Sequence, residues 1–298
     1  MSLFPTKILL ATDGSEDAQL AATTAWKLAD VTNSELHVLH VGPTTLIPYD
    51  PSFPEGTEQA RAKREAEKLL DEQVKRLESA GGSVAQSHLR MGGATEEIVA
   101  LGEEMEAGLI VVGSRGRGGL RRALMGSVSD AVVRYAHCPV LVVRGEDVGP
   151  IVSSKKVLLA TDGSEEAELA SEAAVELAGA TGSELHIITV GGTYHPGAVV
   201  KVDPSLLEAT LRELERAARG LLDEQVKKIK ESGGTISEAH VEMGGAPDQQ
   251  IVALGEEIEA GLIVMGSRGL GGMRRTLLGS ISDSVVRHAH CPVLVVRH

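Results

Sequence analysis

Aromatic residues make up only 2% of this chain, and cysteine occurs just twice. Positive charge is the minority sign, with 29 Lys and Arg against 42 Asp and Glu and a net charge of −13. No apolar run approaches the ~20 residues that a bilayer span requires. Each shortage excludes something. So few rings cannot build a stacking platform for single-stranded bases. An acidic surface opposes the phosphate neutralisation on which duplex binding rests, so nucleic acid is not an expected partner. Cys138 and Cys291 each stand in Ala-His-Cys-Pro-Val, which marks a duplicated motif rather than a disulfide framework. Their spacing from His137 and His290 suits no metal centre. The opening MSLFPTKILLATDG has a short apolar segment that stops at Asp13-Gly14 and reads as a first strand, not a signal peptide. The expectation is a cytoplasmic protein that does not engage a membrane and keeps its thiols reduced.

What the chain does have is repetition. Lys7 to Ala18 (KILLATDGSEDA) returns at Lys156 to Ala167, Ser34 to Val41 at Ser183 to Val190, and LDEQVK of Leu70 to Lys75 around Asp223. Met91-Gly-Gly-Ala returns at Met243, and HCPVLVVR of His137 at His290. The 298 residues therefore divide into domains at 1–146 and 154–298, with Gly145 to Ser154 as linker. The offset drifts mainly between Val41 and Leu70, which suggests a surface excursion there.

Within the first half, short apolar runs alternate with amphipathic stretches. Ile8 to Ala11 reads as a strand covered on both faces, Leu109 to Val112 as a buried strand, and Leu36 to Val41, Val84 to Leu89 and Val140 to Val143 as further strands. A helix follows the first strand, with Ala22, Ala25, Trp26 and Ala29 on one stripe. Thr57 to Ser79 is a long charged helix with Leu69, Leu70, Val74 and Leu77 inward. Ala94 to Glu106 is a helix with Thr95 as N-cap, and Ser127 to Ala136 is a third. Gly42 to Gly56 carries four prolines and cannot be regular. Such alternation means an α/β fold with an open parallel sheet and right-handed crossovers.

The stretch Leu109 to Asp130, LIVVGSRGRGGLRRALMGSVSD, returns at Leu262 as LIVMGSRGLGGMRRTLLGSISD. Both copies carry Gly-x2-Gly-x9-Gly-Ser: Gly113, Gly116, Gly126, Ser127, then Gly266, Gly269, Gly279, Ser280. Glycines allow close backbone approach, and a helix start fed by a glycine loop exposes N–H groups to an anion. A ligand-free strand-to-helix turn is the bland alternative, and the duplicated spacing favours binding. In open parallel sheets ligands sit beyond the carboxyl ends of the strands, where strand order reverses. With the first strand central, that crevice puts Asp13 beside the Gly113 loop and Asp162 beside the Gly266 loop. Taken alone, either aspartate reads as an N-cap or Asx-turn residue. Arg115 and Arg268 can offset phosphate charge. The first loop is the more basic, because Leu270 replaces Arg117. No Gly-Lys-Ser/Thr occurs, and the first strand lacks Gly-x-Gly-x2-Gly, so neither a Walker A nor a dinucleotide fingerprint is present.

Three features combined resemble the universal stress proteins, in their ATP-binding branch and tandem form, over almost the whole chain. They are the strand ending Ala-Thr-Asp-Gly-Ser, the glycine signature and the terminal His-Cys-Pro-Val-Leu-Val-Val-Arg. The resemblance implies two tandem open parallel five-stranded sheets of order 3-2-1-4-5 with helices on both faces, a Rossmann-like architecture akin to the adenine nucleotide α-hydrolases. It implies one adenine-nucleotide site per domain. Ala11, Thr12 and Asp13, and Ala160, Thr161 and Asp162, would lie near the adenosine, with the backbone of Val41 and Val190 reading the adenine edge. Strand four, ending at Val112 and Met265, would lead into the loop that holds ribose and phosphates. That loop comprises Gly113, Arg115, Gly116, Gly126, Ser127 and Val128, then Gly266, Arg268, Gly269, Gly279, Ser280 and Ile281. Ser129 and Ser282 would add hydroxyls to the phosphates. Mg²⁺ would accompany ATP, held through water by Asp13 and Asp162 and by no direct protein ligand.

The expected function is that of an ATP-binding stress-response or regulatory protein, whose occupancy alters conformation or the choice of an unidentified protein partner. Hydrolysis needs a base in line with the γ-phosphate, and nothing beyond Asp13 or Asp162 offers one, so slow turnover is the most expected of it. Cyclic AMP in the same sites, or a nucleotide-free scaffold, are the alternatives. The resemblance also implies pairing through Val140 to Val143 and Val293 to Val296, which makes the halves an internal pseudo-dimer and leaves a homodimer of chains open. His37, His40, His186 and His240 are read as strand or surface residues without chemistry.

Overall fold

In the computed structural model the described residues are 3–43, 57–116, 125–144, 155–192, 204–269 and 278–297. They divide into two compact units, one from Phe4 to Arg144 and one from Lys155 to Arg297 together with Leu3. The expected linker, most of the proline-rich excursion, and Arg117, Arg121, Arg122, Leu270, Arg274 and Arg275 lie outside the described residues.

The first unit runs β1 (Lys7–Ala11), α1 (Glu16–Thr32), β2 (Glu35–Gly42), α2 (Thr57–Ser79), β3 (Gln86–Met91), α3 (Ala94–Glu104), β4 (Leu109–Gly113), α4 (Ser127–Tyr135) and β5 (Val140–Val143). Its strand order is β3-β2-β1-β4-β5, with all neighbours parallel. The second unit repeats this as β6 (Lys156–Ala160), α5 (Glu165–Thr181), β7 (Glu184–Gly191), α6 (Pro204–Glu231), β8 (Glu238–Met243), α7 (Pro247–Glu257), β9 (Leu262–Gly266), α8 (Ser280–His288) and β10 (Val293–Val296). Its order is β8-β7-β6-β9-β10, again parallel. Both units are thus open parallel α/β sheets in the expected order 3-2-1-4-5. Among the described residues no helix is long and apolar enough to cross a membrane.

Burial explains the local choices. Ile8, Leu9 and Leu10 have no exposed surface, as a strand covered on both faces requires. The buried side of α1 is built from Ala18, Ala21, Ala22, Ala25 and Ala29 with Leu28. Side chains that small let the helix lie close to the sheet, and Trp26, expected in that stripe, is only half-buried. In α2 the inward row is Ala66, Leu70, Gln73 and Leu77.

Three expectations need correction. Thr95 is not the N-cap of α3: the Glu97 N–H donates to the Gly93 carbonyl at 3.0 Å, so Gly93 takes that position and Thr95 falls inside the first turn. The third strand is Gln86–Met91 rather than Val84 to Leu89, because pairing with β2 carries it on to Met91 opposite Gly42. The length drift between the halves is partly helical, since α6 has 28 residues against 23 in α2.

Candidate functional site

At the carboxyl end of β1 the chain turns through Thr12, Asp13, Gly14 and Ser15. Asp13 Oδ1 accepts the Ser15 N–H at 3.0 Å, and Thr12 Oγ1 accepts the Gly14 N–H at 3.2 Å. This is an Asx-type turn, and Gly14 takes a φ of 75° that a larger residue would resist. Ser15 then caps α1 by accepting the Ala18 N–H at 3.3 Å. The same hydroxyl donates to the Arg115 carbonyl at 3.2 Å, which ties the β1 turn to the loop after β4. The second unit builds the same turn: Ser164 N–H to Asp162 Oδ1 at 3.1 Å, Gly163 at a φ of 79°, and Ser164 Oγ to the Arg268 carbonyl at 3.4 Å.

The loop glycines serve different ends. A Cβ on Gly113 would fall 2.7 Å from the Asp17 carbonyl carbon and 2.8 Å from the Ala18 nitrogen, so this glycine lets the first turn of α1 lie on the end of β4. Gly266 stands in the same relation to Glu166 and Ala167. A Cβ on Gly116 would fall 2.6 Å from Asp13 Oδ2, and one on Gly269 would strike Asp162 Oδ2. The aspartate that closes the first strand therefore lies against the glycine loop of the fourth in both units. Gly126 packs beside Arg115 Cα, at 3.6 Å from its would-be Cβ, and its N–H donates to the Ser114 carbonyl at 2.8 Å. Gly126 and Gly279 are N-caps with no side-chain hydrogen bond, so the first N–H groups of α4 and α8 have no side-chain acceptor at the cap. Ser127 and Ser280 are exposed at those helix starts, as are Val128 at 38% and Ile281 at 40%.

Other expected side chains are engaged within the protein. Ser129 and Ser282, expected to reach phosphates, are buried. The Ser129 hydroxyl donates to the Ser114 carbonyl at 2.9 Å, and that of Ser282 to the Gly266 carbonyl at 2.9 Å, so both shape the loop from beneath. Arg115 Nε donates to Asp17 Oδ2 at 3.1 Å, and Arg268 pairs with Glu166. Ala11, Thr12, Val112, Ala160, Thr161 and Met265 line the strand ends on either side of the crevice, with Thr12, Val112, Ala160, Thr161 and Met265 buried. Val41 and Val190 are half-buried near the ends of β2 and β7.

Asp17 and Glu166 are site elements that sequence reading missed. Asp17 accepts the hydroxyl of the buried Ser114 at 2.6 Å as well as the Arg115 guanidinium. Glu166 does the same for Ser267 and Arg268. A signal was available: an acid stands at this position in both copies, Asp in one and Glu in the other, and Ser-Arg follows the fourth strand in both. His40, expected to be a strand or surface residue, is buried against the β1 turn. Its Nδ1 lies 2.8 Å from the Thr12 carbonyl, and the second unit has Thr189 at this position.

Fold and site together define a duplicated open α/β protein, in which two strand ends and a helix start meet in each half. The universal stress protein family model matches residues 5–144 and 153–297, and the chain belongs to that family. It is 31% identical to a universal stress protein of Mycobacterium tuberculosis over 97% of this chain and 96% of that one. A relative in Mycolicibacterium smegmatis is 30% identical over the same shares. Among solved structures, a universal stress protein from Archaeoglobus fulgidus superposes with a TM-score of 0.69 at 29% identity, covering 100% of this chain and 98% of that one.

Proposed function

We propose that each half binds one adenine nucleotide, ATP before shorter forms, and that occupancy governs which protein partner the chain engages. The observation that carries this reading is the duplicated constellation of Asp13 against Gly116 and Asp162 against Gly269, each beside a helix start without a side-chain cap. Exposed N–H groups there suit the negative charge of a phosphate chain. Gly116 and Gly269 let the loop close on the aspartates, which brings those carboxylates to the phosphate side of the proposed site. The donor set also fits Mg²⁺, because each aspartate presents a hard carboxylate oxygen beside the loop. When bound, Mg²⁺ would neutralise phosphate charge, while Asp13 and Asp162 hold its water ligands. With Arg115 and Arg268 engaged by Asp17 and Glu166, the backbone at the helix start is the main phosphate contact offered by the described residues.

The test is to purify the protein without added nucleotide, denature it and identify the released small molecules by mass spectrometry. Titrations with ATP, AMP and cyclic AMP follow. Ser127→Glu/Ser280→Glu is the informative variant. An acid in the first helical turn favours the helix, so the fold is kept while phosphate is repelled. The expected result is about two ATP per chain in the wild type and an affinity weakened at least about tenfold, or ~1.4 kcal/mol, in the variant. Recovery of ADP alone indicates turnover. Release of nothing, with no binding of added ATP or cyclic AMP, overturns the reading.

A further inference from the structure

On the second unit's outer strands, well away from the crevice, two imidazoles and a carboxylate converge. In the parallel β7–β8 pair, His186 stands opposite Glu238 and Ile188 opposite His240. Strand alternation puts Glu238 and His240 on one face, and register puts His186 on the same face. His186 Nδ1 lies 3.3 Å from His240 Nε2 and 3.9 Å from Glu238 Oε2, and His240 Nε2 lies 3.8 Å from Glu238 Oε2. A point equidistant from these three atoms is about 2.1 Å from each, the length of a zinc–imidazole or zinc–carboxylate bond. We propose that His186, Glu238 and His240 form a binding site for one divalent transition-metal ion of the zinc type, with water completing the coordination.

The surroundings fit that occupant. His186 is 5% exposed, and its Nε2 is buried with no hydrogen-bond partner, although a Glu184 carboxylate oxygen stands 3.7 Å away. A ligating histidine turns its second nitrogen to such a carboxylate, which fixes the ring. The two rings are stacked with centroids 5.6 Å apart, so both are held in place before any ion arrives. The Glu238 side chain is 63% exposed, which leaves a path for ion and water. Two imidazole nitrogens with one carboxylate favour Zn²⁺, Co²⁺ or Ni²⁺ over Mg²⁺ and Ca²⁺. His186 lies four residues before Val190, or ~13 Å along the strand, so this site is separate from the proposed nucleotide crevice.

The first unit supplies the control. His37 and His88 stack in the same way, 5.4 Å between centroids with 3.1 Å between ring nitrogens. Opposite His37, however, stands Gln86 where the second unit has Glu238. The nearby carboxylate, Glu35, lies 3.5 Å from the other nitrogen of His37, Nε2. Among the described residues, only the second unit gathers three ligand atoms around one point.

The experiment uses the full chain, freed of metal and nucleotide, titrated with Zn²⁺ by calorimetry and with Co²⁺ by visible absorption. Wild type is expected to bind one Zn²⁺ tightly and to give the intense d–d bands of low-coordinate Co²⁺. Glu238→Gln, which reproduces the first unit's arrangement at an exposed position, should weaken Zn²⁺ at least tenfold and bleach the cobalt bands. His240→Ala should do the same. A wild type that binds no Zn²⁺, or a tight Zn²⁺ and cobalt spectrum that survive both substitutions, overturns the proposal.

Discussion

Asp17 receives both the Ser114 hydroxyl and the Arg115 guanidinium, although 97 and 98 residues separate it from these partners. Asp17→Ala would leave a hydroxyl that is 1% exposed without its acceptor, and a guanidinium beside it unpaired. The expected loss is about 1–3 kcal/mol in urea-induced unfolding. Glu16→Ala, on the exposed side of the same helical turn, should stay within ~0.5 kcal/mol and serves as the reference. At this scale the sequence showed which positions matter more readily than why. The glycine skeleton was plain from its duplicated spacing. That Gly113 makes room for a helix while Gly116 makes room for Asp13 depends on α1 crossing the end of β4, and spacing carries no trace of a crossing. Ser129 misled for a related reason. A serine in the first turn of an anion-binding helix suggests an outward hydroxyl, yet helical periodicity turns this one inward to the Ser114 carbonyl.

Elements meet where backbone touches backbone, and there a single methyl is costly. Gly113→Ala would press a Cβ onto the Asp17 and Ala18 backbone, so α1 must shift. The expected penalty is about 1–3 kcal/mol, read as a lower Tm by calorimetry. Gly179→Ala is the opposite case. It lies within α5 with nothing inside 4 Å of an added Cβ, so alanine should raise stability by about 0.5–1 kcal/mol. The β2–β3 histidine pair adds a pH dependence. His88 is held below the ordinary imidazole value of 6.5 by burial, then by His37 and Arg90, with Glu104 opposing. Glu35 lies beside His37 on the same face. The unfolded chain binds this proton more readily than the native state, so native stability is full above pH 6.5 and falls as the pH drops through that value. His88→Asn should flatten that part of the stability profile measured by urea titration between pH 7.5 and about 5. Strand existence was legible from apolar runs and strand order from the family resemblance, but the ends of β3 were legible from neither. An edge strand tolerates Ser87 and Arg90, so its extent is fixed by register with β2 rather than by hydrophobicity.

For the molecule as a whole, occupancy and stability are linked. If each half binds ATP, raising its concentration to a hundred times Kd should stabilise the native state by ~2.7 kcal/mol per site, visible as a higher Tm. Ser127→Glu alone should then release one nucleotide per chain where the wild type releases two, with the remaining affinity unchanged. The bipartite architecture was the most legible property, because matching segments recur across nearly all of both halves. What repetition concealed is where the copies part company. The aligned motifs drew attention to sameness, while the copies differ in chemistry at particular strand positions: the first unit has His40 where the second has Thr189, and Gln86 where the second has Glu238. In an assembly of identical subunits, any substitution is copied into every equivalent position at once. Here the two copies share one polypeptide, so Glu238 can change while Gln86 does not. Each molecule therefore carries its own unaltered reference, and a loss confined to one half is read against an intact twin at fixed one-to-one stoichiometry.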